Sequence, residues 1–279
     1  MIYQQPIAAG HLLSQDITFS GVMELNSKIE DFFQRNHIIL HLPHASLYIP
    51  DEVRANILLD DQQLDHELLA ITDRYTDELF TVPGVRVIKS PVSRLVVDME
   101  RFRSDDDEVM ARVGMGAVYE STSGGEPLRY LSSETRDRML QQYYDPYHKG
   151  FEEVVEACLA SENQCLIIDC HSFPSRPLPY ELDQDPDRPE ICLGICDYHT
   201  PPQLKDFALN WMTARFSVAV NRPFAGTFVP SRYYHKDKRV SSIMIEVNRS
   251  LYMDEATGNR NDGFERIKAL MGEFISGVQ

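Results

Sequence analysis

Positive charge is scarce in this chain: 27 lysines and arginines stand against 43 aspartates and glutamates, leaving −16 at pH 7. That balance argues against nucleic acid or an anionic membrane surface as a partner. An anionic small molecule stays open, because a few arginines set the sign inside one pocket. Cysteine is sparse as well: five residues, an odd number, with no Cys-x-x-Cys pair. Cys158, Cys165 and Cys170 lie in apolar stretches, so buried thiols in a reducing cytoplasm are expected rather than disulfides. No apolar run nears the roughly 20 residues of a membrane-spanning helix. No basic stretch followed by an apolar segment opens the chain, so secretion is not indicated. Repeats and Pro/Gly/Ser linkers are also missing.

What is present is a core. Of 279 residues 43% are hydrophobic, enough for one large domain. Residues 1–35 are weakly periodic and read as an N-terminal extension packed on a single α/β domain over 36–279. Strand signals occur at His37–Leu42, Val85–Ile88, Leu95–Val97, Cys165–Cys170, Ile191–Cys196, Ser217–Val220 and Ile243–Val247. Helical spacing covers Asp60–Phe80, Ser132–Ala160 with a bend at Pro146, Gln203–Phe216 and Asp262–Ile275. Ser104–Gly125, with Asp105-Asp106-Asp107-Glu108, reads as a surface loop placed to cover a site; Phe173–Pro189, with five prolines, must also be a loop. Short apolar strands between helices predict a mostly parallel, mixed sheet with helices on both faces.

Three strands end in polar side chains. Ile38–Leu42 runs into Pro43-His44, Cys165–Ile168 into Asp169-Cys170-His171-Ser172, and Ile243–Ile245 into Glu246. Carboxyl ends of parallel strands are where ligands bind, and imidazoles from two of them point to a metal. Each histidine alone also fits a hydrogen-bonded structural residue, and Asp169–His171 a buried pair. Asp169, two residues before His171 on the same side of the strand, is placed to orient that ring.

A catalytic zinc takes three protein ligands. Asp73, flanked by Ile71 and Tyr75 on the helix Asp60–Phe80, is the candidate third, with Asp77 one turn away on a solvated face. Glu246 amid apolar neighbours must be paired, ligated or protonated. It reads as the general base beside activated water, or else as a buried partner of Arg249. Arg94 and Arg101 end a short strand and suit a substrate carboxylate; an Arg101–Asp98 pair bracing the loop is the alternative.

These pieces occur in a consistent order that resembles the N-formylglutamate amidohydrolase family: Pro43-His44-Ala45-Ser46 with Ile49-Pro50, Thr72-Asp73, Ser93-Arg94 through Asp98 to Arg101, Pro146-Tyr147-His148, Ile168–Ser172, Gly226-Thr227-Phe228 and Glu246–Met253. The resemblance implies a phosphorylase/hydrolase-like fold akin to zinc carboxypeptidases and aspartoacylases. It also implies one Zn2+ per chain held by His44 and His171, with Glu246 at the catalytic glutamate. The zinc carboxypeptidases carry a His-x-x-Glu pair, but three positions after His44 stands Leu47, which again leaves Asp73 as third ligand. Where the family commonly reads Asp-Leu-Asn-Arg, this chain has Asp98-Met99-Glu100-Arg101, an acid in place of an amide. The implied activity is hydrolysis of a small anionic N-acyl amino acid, N-formyl-L-glutamate first. Arg94 and Arg101 would bind carboxylates, a nearby arginine or the Tyr233-Tyr234 pair would stand at the oxyanion, and Asp98 and Asp169 would support the histidines. A zinc carboxypeptidase, an aspartoacylase-like deacylase and a non-catalytic binding protein on the same scaffold are the rivals.

Overall fold

The computed structural model describes residues 37–278, so the extension expected over 1–35 lies outside the described residues. Six strands form one sheet: β1 (Ile38–Leu42), β2 (Arg86–Lys89), β3 (Cys165–Phe173), β4 (Ile191–Gly194), β5 (Val218–Val220) and β6 (Val240–Asn248), in the order β2-β1-β3-β6-β4-β5. All neighbours pair in parallel except β4 with β6. The sheet is thus mixed and mostly parallel, as the alternation of apolar strands and helices predicts.

Among the described residues seven helices surround it: α1 (Asp51–Arg54), α2 (Asp61–Ile71), α3 (Thr76–Leu79), α4 (Ser133–Met139), α5 (Asp145–Glu162), α6 (Pro202–Thr213) and α7 (Phe264–Gly277). Every residue of β1 and β3 is buried, which explains their unbroken apolar runs. Side chains alternate between two cores. Leu40, Ile168 and Ile245 pack toward α6 and α7, whereas Ile39, Ile167 and Val240 pack toward α5. On that second face, beyond Ile39 and Ile167, the next side chains are His41, Asp169 and His171, and on β6 Glu246. The imidazoles and carboxylates of these strands therefore lie on one face, at the carboxyl ends of three adjacent parallel strands. From β1 the chain leads outward to β2 on one side and β3 on the other, so this rim lies at a topological switch point. No described helix is long and apolar enough to cross a membrane, and none of the cysteines joins a disulfide among the described residues.

Several expectations need correction. The helix over Asp60–Phe80 is two helices. Asp60 and Gln63 close a capping box at the start of α2, but Thr72 is extended and Tyr75 left-handed at φ 67°, so the chain turns between Ile71 and Thr76. Asp73 sits in that break, its N–H donating to the His44 carbonyl at 3.1 Å, while Asp77 pairs with Lys89 at the surface. Leu95–Val97 is no strand but a buried turn, because Ser93 accepts from the N–H groups of Leu95 and Val96 and Arg129 donates to the Leu95 carbonyl; apolar content alone does not separate the two. Ser104–Gly125 is more than a surface loop: Asp105, Asp106 and Asp107 are exposed, but Glu108 is buried and Met110, Met115, Val118 and Tyr119 enter the core. The helical stretch from Ser132 is interrupted by a π-turn at Leu140–Tyr144, just before Pro146 at the start of α5.

Candidate active site

The break that carries Asp73, the turn after β1 and the end of β3 converge. His44 Nδ1 lies 3.6 Å and His171 Nδ1 3.1 Å from the same oxygen, Asp73 Oδ2. The two rings are 5.2 Å apart between centroids. Donors about 2.0–2.2 Å from a tetrahedral ion stand roughly 3.3 Å from one another, so both nitrogens stand at such a spacing from Asp73 Oδ2, and the three donor atoms lie within 4.8 Å of one another. They are the buried donor group His44, Asp73, His171.

The far side of each ring is fixed. His44 Nε2–H donates to Asp98 Oδ1 at 2.9 Å, and His171 Nε2–H to Asp169 Oδ1 at 3.0 Å and Glu100 Oε1 at 3.2 Å. Carboxylates on Nε2 hold both rings in the tautomer whose Nδ1 lone pair faces inward. Asp98 is itself gripped by the Tyr119 hydroxyl and by Arg94 Nη2 at 2.8 Å. Asp169 also accepts from His41 Nδ1–H at 2.8 Å and from the Phe228 N–H at 2.8 Å. On Asp73 the outer oxygen, Oδ1, accepts from Arg249 Nη2 at 3.0 Å. A second donor group, His41, Glu100 and Asp169, lies alongside. There the Tyr147 hydroxyl donates to His41 Nε2 at 2.8 Å and Asp169 takes the other nitrogen, so no lone pair of His41 is left for an ion and the group acts as a hydrogen-bonded support.

Electrostatics agree. The carboxylates that border the site, of Asp73, Asp98, Glu100, Glu108, Asp169, Glu181 and Glu246, outnumber the guanidiniums of Arg94, Arg101 and Arg249. The excess of negative charge suits a bound cation, and in its absence it favours protonated histidines. Burial and Arg94 push His44 down, but Asp98 and Asp73 outweigh them and raise it. Burial lowers His171, yet Glu100, Asp169 and Asp73 raise it well above its ordinary value. Burial works against ionised Asp73, and His171, His44 and Arg249 overcome it, holding this carboxyl below its usual range.

Glu246 stands directly beside His171 in the β3–β6 register. Its Oε2 is buried without a hydrogen-bond partner. Burial, reinforced by Asp73 and Glu100 against the pull of His171 and Arg249, pushes this carboxyl up to about 8. The pairing with Arg249 that the sequence left open is not made, because Arg249 serves Asp73 and Ser172. His44, Asp73, Glu100, Asp169, Glu246 and Arg249 border a cavity of about 650 Å3, large enough for a small metabolite.

The expected arginines part ways. Arg94 gives its donors to Asp98, Tyr119 and the Ile71 carbonyl, which turns it from a substrate contact into a brace. Arg101 borders the cavity with its nearest carboxylates, Asp98 and Glu108, at 3.7 Å. Tyr233 does not reach the site: its ring is buried in the α5-side core with Phe151 and Val229, and Tyr234 lines the cavity instead. Arg249 and His41 were not foreseen as site residues. The available signal for Arg249 was the need of a buried Asp73 for a cation, and for His41 its place two residues after Ile39 on the polar face.

Comparisons agree with this architecture. The model of the N-formylglutamate amidohydrolase family matches residues 36–253. An N-formylglutamate deformylase of Pseudomonas putida is 26% identical over 242 residues, covering 82% of this chain and 86% of that protein. One of Pseudomonas aeruginosa is 25% identical over 262 residues, covering 88% and 94%. The crystal structure of N-formylglutamate amidohydrolase from Ralstonia eutropha JMP134 superposes with a TM-score of 0.76 at 23% identity, over 86% of this chain and 91% of that one.

Proposed function

Since the chain belongs to the N-formylglutamate amidohydrolase family, we propose that it hydrolyses the amide bond of N-formyl-L-glutamate, giving formate and L-glutamate, at the His44–Asp73–His171 centre. The observation that carries this reading is the shared focus of two Nδ1 atoms on Asp73 Oδ2 beside the unpartnered Glu246 carboxyl. A two-nitrogen, one-oxygen donor set at tetrahedral spacing suits Zn2+. Bound there, Zn2+ would polarise the acyl oxygen and bring the pKa of water near about 7.

The protein's own groups do the rest. Arg101, the cavity arginine with spare donors, takes a substrate carboxylate. Glu246 removes the proton of the attacking water and returns it to the departing nitrogen. Asp98 and Asp169 keep the imidazoles from turning, and Arg249 keeps Asp73 ionised. Tyr234 borders the cavity and is the hydroxyl available as a donor to the developing charge. The buried thiols fit a cytoplasmic setting.

Formate release from N-formyl-L-glutamate by Zn2+-loaded protein, run beside N-acetyl amino acids and short peptides, tests the reaction. Turnover of peptides but not of formyl amino acids would favour a carboxypeptidase, and no turnover of any would favour a binding protein.

Arg101→Ala should raise KM for N-formyl-L-glutamate about 100-fold with a smaller change in kcat. Lysine at this position should restore little, because a point charge lacks the two-point fork. An unchanged KM in steady-state kinetics would remove Arg101 from the carboxylate.

Loading the metal should release protons. His44 and His171 are raised in the metal-free protein, so they hold protons that ligation must expel. Affinity therefore falls as pH falls, and calorimetry near about pH 7 in buffers of different ionisation enthalpy should show net proton release. A titration independent of buffer would contradict that protonation state.

A further inference from the structure

The charges around the cavity are unevenly spent. Among the described residues three arginines and no lysine line it. Arg94 is committed to Asp98, Tyr119 and a carbonyl, and Arg249 to Asp73, Ser172 and a carbonyl. Arg101 is the one whose side chain donates no hydrogen bond to the protein; its Nε is buried without a partner, and the carboxylates of Asp98 and Glu108 stop at 3.7 Å. The cavity thus has one free guanidinium, enough for one carboxylate of a ligand.

Next to it in sequence stands Glu100. The Asp98 and Asp169 side chains are 0% and 1% exposed, whereas that of Glu100 is 21% exposed and borders the cavity. Its Oε1 lies 3.2 Å from His171 Nε2, but that N–H already has Asp169 at 3.0 Å. Its Oε2 comes within 3.7 Å of His44 Nδ1. Glu100 is thus not needed to orient His171, and it places a carboxylate in the substrate space next in sequence to Arg101, the cavity arginine whose side chain makes no hydrogen bond among the described residues.

We infer that Glu100 is a specificity-determining residue that disfavours a second carboxylate on the substrate and shifts acceptance toward N-acyl amino acids with one carboxylate and a neutral, hydrogen-bonding side chain. The inference rests on the reaction proposed above. A dicarboxylate satisfies Arg101 with one end. The other end, a few bonds away, finds Glu100 with no further free arginine. Like charges about 5–6 Å apart in a partly desolvated cavity change relative affinity ten- to hundred-fold. N-formyl-L-glutamate is then bound against a local repulsion, and its neutral counterpart N-formyl-L-glutamine is not.

The test compares kcat/KM for these two compounds at saturating Zn2+ in wild type and E100Q. The ratio of glutamate to glutamine substrate should rise tenfold or more in E100Q, through a lower KM for the dicarboxylate. A rise below threefold overturns the inference, and so does an equal fall for both substrates, since loss of a strut on His171 would move both alike. Calorimetric binding of the same two compounds to Zn2+-loaded E246Q and to the E246Q/E100Q double variant repeats the comparison without turnover. A wild-type protein that binds both compounds and hydrolyses neither would sink the proposed reaction, while the binding ratio still decides the role of Glu100. Failure of both to bind would sink the two together.

Discussion

Replacing Glu246 by glutamine leaves a folded, metal-binding protein whose turnover falls about 10³- to 10⁴-fold, the upper range for loss of a positioned general base. The shape of the side chain is kept, and no hydrogen bond is lost at Oε2 because none is made there. What disappears is the capacity to accept and return a proton. The same change should stabilise the metal-free protein. With its folded pKa raised from 4.5 to about 8, Glu246 binds more protons folded than unfolded in this interval. It therefore costs nothing at low pH and destabilises progressively as pH rises from 4.5 toward 8. The gain in Tm of Glu246→Gln over wild type should grow across that interval, a trade of stability for activity common at catalytic groups. Steady-state formate release, with circular-dichroism melts at several pH values, measures both. Activity within tenfold of wild type would remove Glu246 from proton transfer.

His171→Ala should weaken metal binding by about 10³-fold or more, beyond the 10–100-fold that loss of a supporting residue costs. On the proposed reading the ring is one of three donors. Its loss also leaves Asp169 and Glu100 without the N–H they share and Asp73 without its closest imidazole. Two ligands remain, and the surplus negative charge is no longer focused on one point. Titration with Zn2+ against a chromophoric competitor reads the affinity. A change under tenfold would mean that His171 is not a ligand.

The residues that the sequence makes legible are those whose chemistry conflicts with their surroundings. His44, His171 and Glu246 each interrupt or end a buried apolar strand, and a polar group there calls for a reason. Period-two alternation along β1 and β3 also places Asp169 and His171 on one face before any contact is known. Asp73 was legible as a residue but not in its setting: its role depends on α2 ending at Ile71, which the His44 carbonyl and the left-handed Tyr75 enforce from outside the local pattern. The turn at Leu95–Val97 misleads because burial, not strand pairing, accounts for its apolar content. Tyr233 and Tyr234 differ by one position, and which of them faces the cavity depends on the turn after Pro230. Arg249 escaped because its partner lies 176 residues away, a distance over which periodicity says nothing.

That same long-range pair has a consequence for biosynthesis. Asp73 leaves the ribosome early, and the guanidinium that neutralises it comes near the end of the chain. Until β6 has emerged and docked beside β3, the acid lacks its guanidinium, hydrogen-bonded at 3.0 Å in the finished fold. If the proposed centre takes up Zn2+, nascent fragments ending before Arg249 should bind it more weakly than the complete chain, and the cation would then favour finished molecules.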